Sequence, residues 1–205
     1  MPQKKQSLID AVDESLQEAL DLRDRVFENE DAPELSAGAM DIRDCTFTCC
    51  HLTDSRFDHT GFENVVFRQC DLSGCRFFEG GLKNVRFEDC RLIGTVMTDC
   101  TLNSVSFSGC GGRYLYLSGC TLKSCRLENC ICGGGALISL KLHKTGFSNC
   151  DLTGCDFRGT DLSGCDLSDC IIEGCTWTPG LLKNLTVNLQ QATELSRLLG
   201  LNIKL

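Results

Sequence analysis

From Asp41 onward a large apolar residue recurs at every fifth position. The series runs Ile42, Phe47, Leu52, Phe57, Phe62, Phe67, Leu72, Phe77, Leu82 and Phe87, and it continues in the same register to Ile172 and Trp177. No insertion shifts it over about 28 blocks, the mark of a stacked-repeat architecture in which each unit buries its apolar face against its neighbours. Only Gly112 and Cys132 stand where a large side chain belongs. A period of five fits neither the 3.6 of an α-helix nor the alternation of a half-buried strand, so the chain must turn once per block. The fourth position supplies the turn. It is Gly at 74, 94, 109, 119, 154, 159, 164 and 174 and Asn or Asp at 44, 54, 64, 84, 89, 99, 129, 149 and 169, residues that tolerate the positive φ of a type II turn.

The fifth position is small, and cysteine dominates it. Of 17 cysteines, all but Cys49 and Cys132 have numbers divisible by five, a spacing that neither a disulfide framework nor a C-x-x-C metal site produces. Runs such as Cys150-Asp-Leu-Thr-Gly-Cys-Asp-Phe-Arg-Gly-Thr-Asp-Leu-Ser-Gly-Cys-Asp-Leu resemble the pentapeptide-repeat family, whose loose motif is A(D/N)LxX, over about residues 41–180. The resemblance implies an all-β solenoid, a right-handed quadrilateral β-helix in which four blocks make one square coil of 20 residues. It also implies that the central Leu or Phe and the small residue two before it point inward. About seven coils follow, stacked at the roughly 4.8 Å spacing of paired strands. On that coil Phe47, Phe67, Phe87, Phe107 and Phe147 form one vertical file, and Cys50, Cys70, Cys90, Cys110, Cys130, Cys150 and Cys170 form another. The thiols read as buried small hydrophobes. Parallel side chains at that repeat hold Cβ atoms too far apart for a disulfide, and a file of thiols lacks the convergent geometry of a metal site, so neither metal nor cofactor is expected.

The ends differ in kind. Residues 1–40 read as a cap, with an amphipathic helix within residues 7–30 whose stripe is Leu8, Val12, Leu16, Ala19 and Leu20, and with an acidic, loop-like link over Asn29 to Ala39. Pro179-Gly180 is expected to stop the repeat, leaving residues 181–205 as a C-terminal cap with a short helix from Gln190 closed by Gly200. Leu195, Leu198, Leu199, Leu201 and Ile203 exceed what a lone cap must cover, which points to a two-fold homodimer through this tail. No apolar run is long enough to span a bilayer and no secretory signal opens the chain, so a cytoplasmic protein without membrane contact is expected.

Candidate chemistry is sparse. His51, His59 and His143 fall on outward positions, no Ser–His–acid or Cys–His order surrounds a pocket, and Gly133-Gly134-Gly135 lacks the context of a phosphate loop. The reading is a non-catalytic scaffold for an unknown protein partner. A second reading comes from the Qnr quinolone-resistance proteins, pentapeptide-repeat rods that resemble acidic B-form DNA and bind DNA gyrase or topoisomerase IV. This chain is similar in its rod, its net charge of −8 and its apolar tail. Yet residues 1–40 carry ten acids against four bases, whereas the rod carries 17 against 13 and is net basic over 76–144. Only the last coils offer an acidic surface, at Asp151, Asp156, Asp161, Asp166, Asp169 and Glu173. Nucleic acid is disfavoured by the overall acidity. The remaining candidate partner surface is the irregular patch of Gly111, Gly112, Gly133, Gly134 and Gly135 with Tyr114 and Tyr116, where two missing large side chains would leave a void unless the wall sinks or bulges.

Overall fold

A computed structural model describes residues 6–201. Between the N-terminal helix α1, Leu8–Glu18, and the C-terminal helix α2, Leu189–Leu195, the chain is a four-walled parallel β-solenoid. Each residue pairs with the one 20 further on, as in Leu22↔Ile42, Phe67↔Phe87 and Met97↔Leu117. We number the walls from residues 51–55, 56–60, 61–65 and 66–70. The third and fourth walls are seven-stranded sheets, the second is five-stranded, and the first is a file of single bridges from Asp31↔His51 to Asp151↔Ile171. The regular third-wall ladder runs from Leu22 to Leu142, about six turns against the seven expected. Above it turns and isolated bridges take over.

The corners lie where the sequence places them. Every residue whose number ends in four or nine has positive φ, without a gap from Ala19 to Gly164. The interior follows from the corners. Phe27, Phe47, Phe67, Phe87 and Phe107 stack with centroids 4.8–5.3 Å apart, and Phe57 on Phe77 and Phe157 on Trp177 repeat the arrangement on the second wall. Such ring pairs contribute about 0.5–1.5 kcal/mol each beyond the area they bury. The fifth-position side chain donates to the carbonyl 23 residues earlier, as in Cys70 Sγ to Phe47 O at 3.4 Å, Cys90 Sγ to Phe67 O at 3.3 Å and Thr95 Oγ1 to Leu72 O at 2.8 Å. A small side chain with one weak donor satisfies an inward carbonyl that water cannot reach, which is why Cys, Thr and Ser share this position.

Both boundaries of the rod move outward from their expected places. The expected link over Asn29 to Ala39 is coil, because Leu22, Phe27, Ala32 and Ala37 occupy the large position and are buried, with Asp24, Asn29, Glu34 and Ala39 at corners. Two of these blocks are inverted: the small Ala32 and Ala37 are matched by large Leu35 and Met40 three residues later. At the far end Pro179-Gly180 does not stop the coil, since Leu162 N donates to Leu181 O, Asp166 bridges Thr186, and Leu182 and Leu185 pack on the core.

The caps are shorter than expected. Ser7 caps α1 by accepting from Asp10 N at 3.2 Å, and Ala19 in the left-handed region ends it. Its buried face is Leu8, Ala11, Val12 and Ser15, while Leu16 and Leu20 of the expected stripe are exposed. α2 begins with a capping box between Asn188 and Gln191. The buried Gln191 amide then donates to Leu167 O at 2.9 Å and Cys170 O at 2.6 Å, and Glu194 accepts from Gly174 N at 2.9 Å. These bonds close the open edge of the last coil, which would otherwise be a template for stacking.

Two substitutions test these boundaries by urea unfolding. Phe27→Ala is expected to cost about 3–5 kcal/mol as a core truncation, and a cost within about 0.5 kcal/mol would place residues 22–40 outside the rod. Gln191→Ala is expected to cost about 1–3 kcal/mol by stranding the Cys170 carbonyl and leaving Leu167 O with Cys170 N as its one donor.

Candidate interaction surface

The irregular patch sits where the first wall turns into the second. Gly112 leaves no void, because Leu115, at a position that is small in most blocks, is buried and fills its place. A Cβ on Gly112 would meet Leu115 side-chain atoms at 3.5–3.6 Å and Cys132 Sγ at 3.6 Å. This is the same inversion as Ala32 with Leu35. The wall neither sinks nor bulges: Gly112 N donates to Ile131 O at 2.8 Å and Cys132 N to Asp151 O at 2.8 Å. Gly135 is required above this block, since a Cβ there would lie 2.8–2.9 Å from the carbonyl oxygens of Cys132 and Leu115.

Inverting the block leaves Tyr114 at the corner with φ +60°, an unusual conformation for a bulky residue. Its ring lies over Gly134, where a Cβ would come within 2.9 Å of Tyr114 Cε1. Tyr114 is 65% exposed, and Tyr116, Ile93 and Ile131 around the same corner are exposed as well. Gly111 and Gly133 flank them on the first wall. These exposed apolar side chains gather on one part of the rod, and such patches mark places where another surface packs.

The acidic candidates do not form one face. Asp151, Asp156, Asp161 and Asp166 begin four successive blocks and so occupy the four walls in turn, with Asp169 on a corner and Glu173 back on the first wall. Each of the four also has a structural task. Its Oδ1 accepts from the backbone N–H two residues on, at Thr153, Arg158, Ser163 and Ser168, over 2.9–3.0 Å. The hydroxyls and backbone N–H groups of Ser163 and Ser168 hold Asp161 and Asp166 below the ordinary carboxylate range, those of Thr153 do so for Asp151, and the Arg158 guanidinium does so for Asp156.

The basic middle is largely neutralised locally. Arg76 meets Asp58 at 3.0 Å, Lys83 meets Glu63 at 2.6 Å, Arg86 meets Glu88 at 3.1 Å and Arg91 meets Asp71 at 3.6 Å. Lys123, Lys141 and Lys144, all on the third wall, make no ion pair among the described residues. The cysteine file is buried throughout. Burial pushes the thiols of Cys75 and Cys175 up to about 12 and that of Cys155 to about 11, so they are protonated and unreactive at neutral pH. His51, His59 and His143 are exposed, and His59 Nδ1 lies 3.4 Å from Glu79. Among the described residues no three His, Cys, Asp or Glu side chains converge as a metal set would, and no helix is long and apolar enough to cross a membrane.

A family model described as a pentapeptide repeat region matches residues 40–111 and 62–137, and one described as pentapeptide repeats (8 copies) matches 137–176. No curated protein matches the chain. Among solved structures, a trypsin-treated variant of QnrB1, a plasmid-mediated fluoroquinolone resistance protein, is 18% identical. That alignment covers 90% of this chain and 100% of the QnrB1 chain, with a TM-score of 0.45. HetL, a pentapeptide repeat protein involved in heterocyst differentiation regulation from Nostoc sp. strain PCC 7120, is 14% identical over 88% of this chain and 94% of HetL, with a TM-score of 0.26. Rfr23, from the cyanobacterium Cyanothece 51142, is 13% identical over 85% and 96%, with a TM-score of 0.22.

The turn-capping aspartates predict an acid limit. Their folded-state affinity for protons is depressed, so the stability they lend is fully present above the unfolded value of about 3.9 and is lost as pH falls through and below it. Thermal melts are expected to be flat from neutral pH to about 4.5 and to drop below that. The combined Asp151→Asn, Asp156→Asn, Asp161→Asn and Asp166→Asn variant keeps the accepting oxygen without titrating. Its decline below about pH 4 is expected to be shallower, and an unchanged acid profile would assign the limit to other groups.

Proposed function

The chain belongs to the pentapeptide-repeat family, and on that premise we propose that it is a non-catalytic scaffold whose protein partner docks on the corner of Tyr114 and Tyr116. The observation that carries this reading is the placement of Tyr114, Tyr116, Ile93 and Ile131 around one corner. Gly111, Gly112, Gly133, Gly134 and Gly135 keep the wall beside the rings low, so a partner surface can approach the aromatic faces. Tyrosine suits such a role because it offers a large rigid contact area and a hydroxyl at its wet end.

A topoisomerase-binding duplex mimic has less support from the charge pattern. A mimic needs carboxylates aligned along a face, whereas the acidic residues of the last coils encircle the rod and four of them cap turns. Self-association through the C-terminal end is a compatible part of the proposal, as Leu189, Leu198 and Leu201 are exposed there. The side chain of Leu199 and all of Ile203 lie outside the described residues.

The test uses Tyr114→Asn with Tyr116→Thr, chosen because Asn tolerates the left-handed corner and Thr suits a strand. The variant is expected to melt within about 2 °C of the parent. It is also expected to lose proteins that the immobilised parent retains from host lysate. Retention of the same proteins by both would sink the proposal. Added to a DNA gyrase supercoiling reaction, the protein is expected to leave it unchanged; inhibition at micromolar concentration would put the topoisomerase reading in its place.

A further inference from the structure

The tyrosine corner carries a charge pattern of its own. On the second wall, Val96, Tyr116 and Ala136 stack in one outward file and Thr98, Ser118 and Ile138 in the other, and none of them is charged. Around the corner on the first wall, Arg91, Gly111 and Ile131 form one file by their bridges. Ile93, Arg113 and Gly133 form the next, joined through Gly94 N to Arg113 O at 3.0 Å and Tyr114 N to Gly133 O at 3.2 Å. At the outward positions of these files Arg91 and Arg113 are the charged residues, and both are cations.

Arg113 has no acid to meet. Elsewhere on the rod opposite charges 20 residues apart pair, Lys83 with Glu63 at 2.6 Å and Arg68 with Glu88 at 2.8 Å. The residues 20 before and 20 after Arg113 are Ile93 and Gly133, so the register gives it no partner, and it makes no ion pair among the described residues. The Asp151 carboxyl is held below its ordinary range chiefly by Thr153, with Arg113 contributing at longer range. Arg91 reaches Asp71 at 3.6 Å while its side chain stays 65% exposed. An exposed pair of that length contributes little, so Arg91 is available to another carboxylate. The unpaired lysines of the third wall, Lys123, Lys141 and Lys144, differ, because no large apolar side chain is exposed on that wall among the described residues. At the tyrosine corner available cations and exposed apolar side chains coincide.

Resting on the docking reading above, we infer that the partner at this corner presents an apolar segment of polypeptide carrying carboxylates, and that Arg91 and Arg113 select it. The apolar part packs on Tyr114, Tyr116, Ile93 and Ile131. The carboxylates answer the two guanidiniums, whose planar forks match them. The surrounding charge sets the limit. Asp71 below Arg91, Asp151 above Ile131, Asp156 above Ala136 and Asp99 at the far corner of the second wall border the patch. A chain charged at every unit, such as nucleic acid, runs into that border, whereas a peptide places carboxylates only where the arginines stand.

Selection of random dodecapeptides displayed on phage tests this, run in parallel on the immobilised full-length parent, on Arg91→Gln with Arg113→Gln, and on Tyr114→Asn with Tyr116→Thr. Both variants are expected to melt within about 2 °C of the parent, as the changes fall on exposed side chains. Peptides recovered by the parent and lost by the tyrosine variant are expected to be enriched about threefold or more in Asp and Glu beside Leu, Ile or Phe. The arginine variant is expected to keep the apolar preference and lose the acidic one. A fluorescein-labelled peptide from the parent selection is expected to bind about tenfold more weakly, by anisotropy, when its acidic residues are replaced by their amides or when the two arginines become Gln. Lys123→Gln with Lys141→Gln is expected to leave its affinity unchanged. The inference is overturned if the tyrosine-dependent peptides show no acidic enrichment, if they keep it on the arginine variant, or if oligothymidylate competes at lower concentration than the unlabelled peptide. A parent selection that yields no tyrosine-dependent peptide overturns the docking reading itself, and this inference with it.

Discussion

A left-handed corner at every fifth residue is the constraint on which the rest of this structure depends. From Ala19 to Gly164 no block omits it. For residues other than glycine that conformation is disfavoured by about 1–2 kcal/mol, so it persists only where the coils on either side hold it. They do so through main-chain bonds that repeat every 20 residues, and each corner in turn fixes where the next wall begins. Asn and Asp ease the cost at several corners, and Asn64 and Asn84 add a side-chain ladder, Asn64 Nδ2 to Asp44 and Asn84 Nδ2 to Asn64, each at 2.8 Å. Tyr114 has no such compensation and is held instead by its ring against Gly134.

Inside the square, the large and small inward positions of a block can exchange places. A large second residue with a small fifth is the rule, yet Ala32 with Leu35, Ala37 with Met40 and Gly112 with Leu115 reverse it and keep the interior filled. An interior packed near crystal density tolerates the exchange because the two side chains of one block fill the same space. The exchange has an outward consequence at one place only. At Gly112 it coincides with a tyrosine corner, and the thin wall beside that corner is what exposes the rings.

The charged surface follows a similar logic. Carboxylates at the first position of the late blocks are used by their own turns, and most mid-rod arginines lie within reach of an acid on the same or the adjacent coil. What remains for interaction is therefore sparse and localised, chiefly an apolar corner where the first and second walls meet.

The sequence by itself determined the period, the corner positions, the inward thiol and phenylalanine files and the existence of a helix at each end, because all of these are local choices repeated in register. It also held the signal for the earlier start of the rod, in Leu22 and Phe27 with Asp24 and Asn29, but Ala32 and Ala37 hide it until Leu35 and Met40 are seen to point inward. Only the tertiary structure decided how Gly112 is filled, that Gln191 closes the last coil, and that four aspartates ring the rod instead of lining it. The physical reason is that a repeat specifies what each block offers its neighbour, whereas contact between two stacked coils depends on how all four walls meet at once.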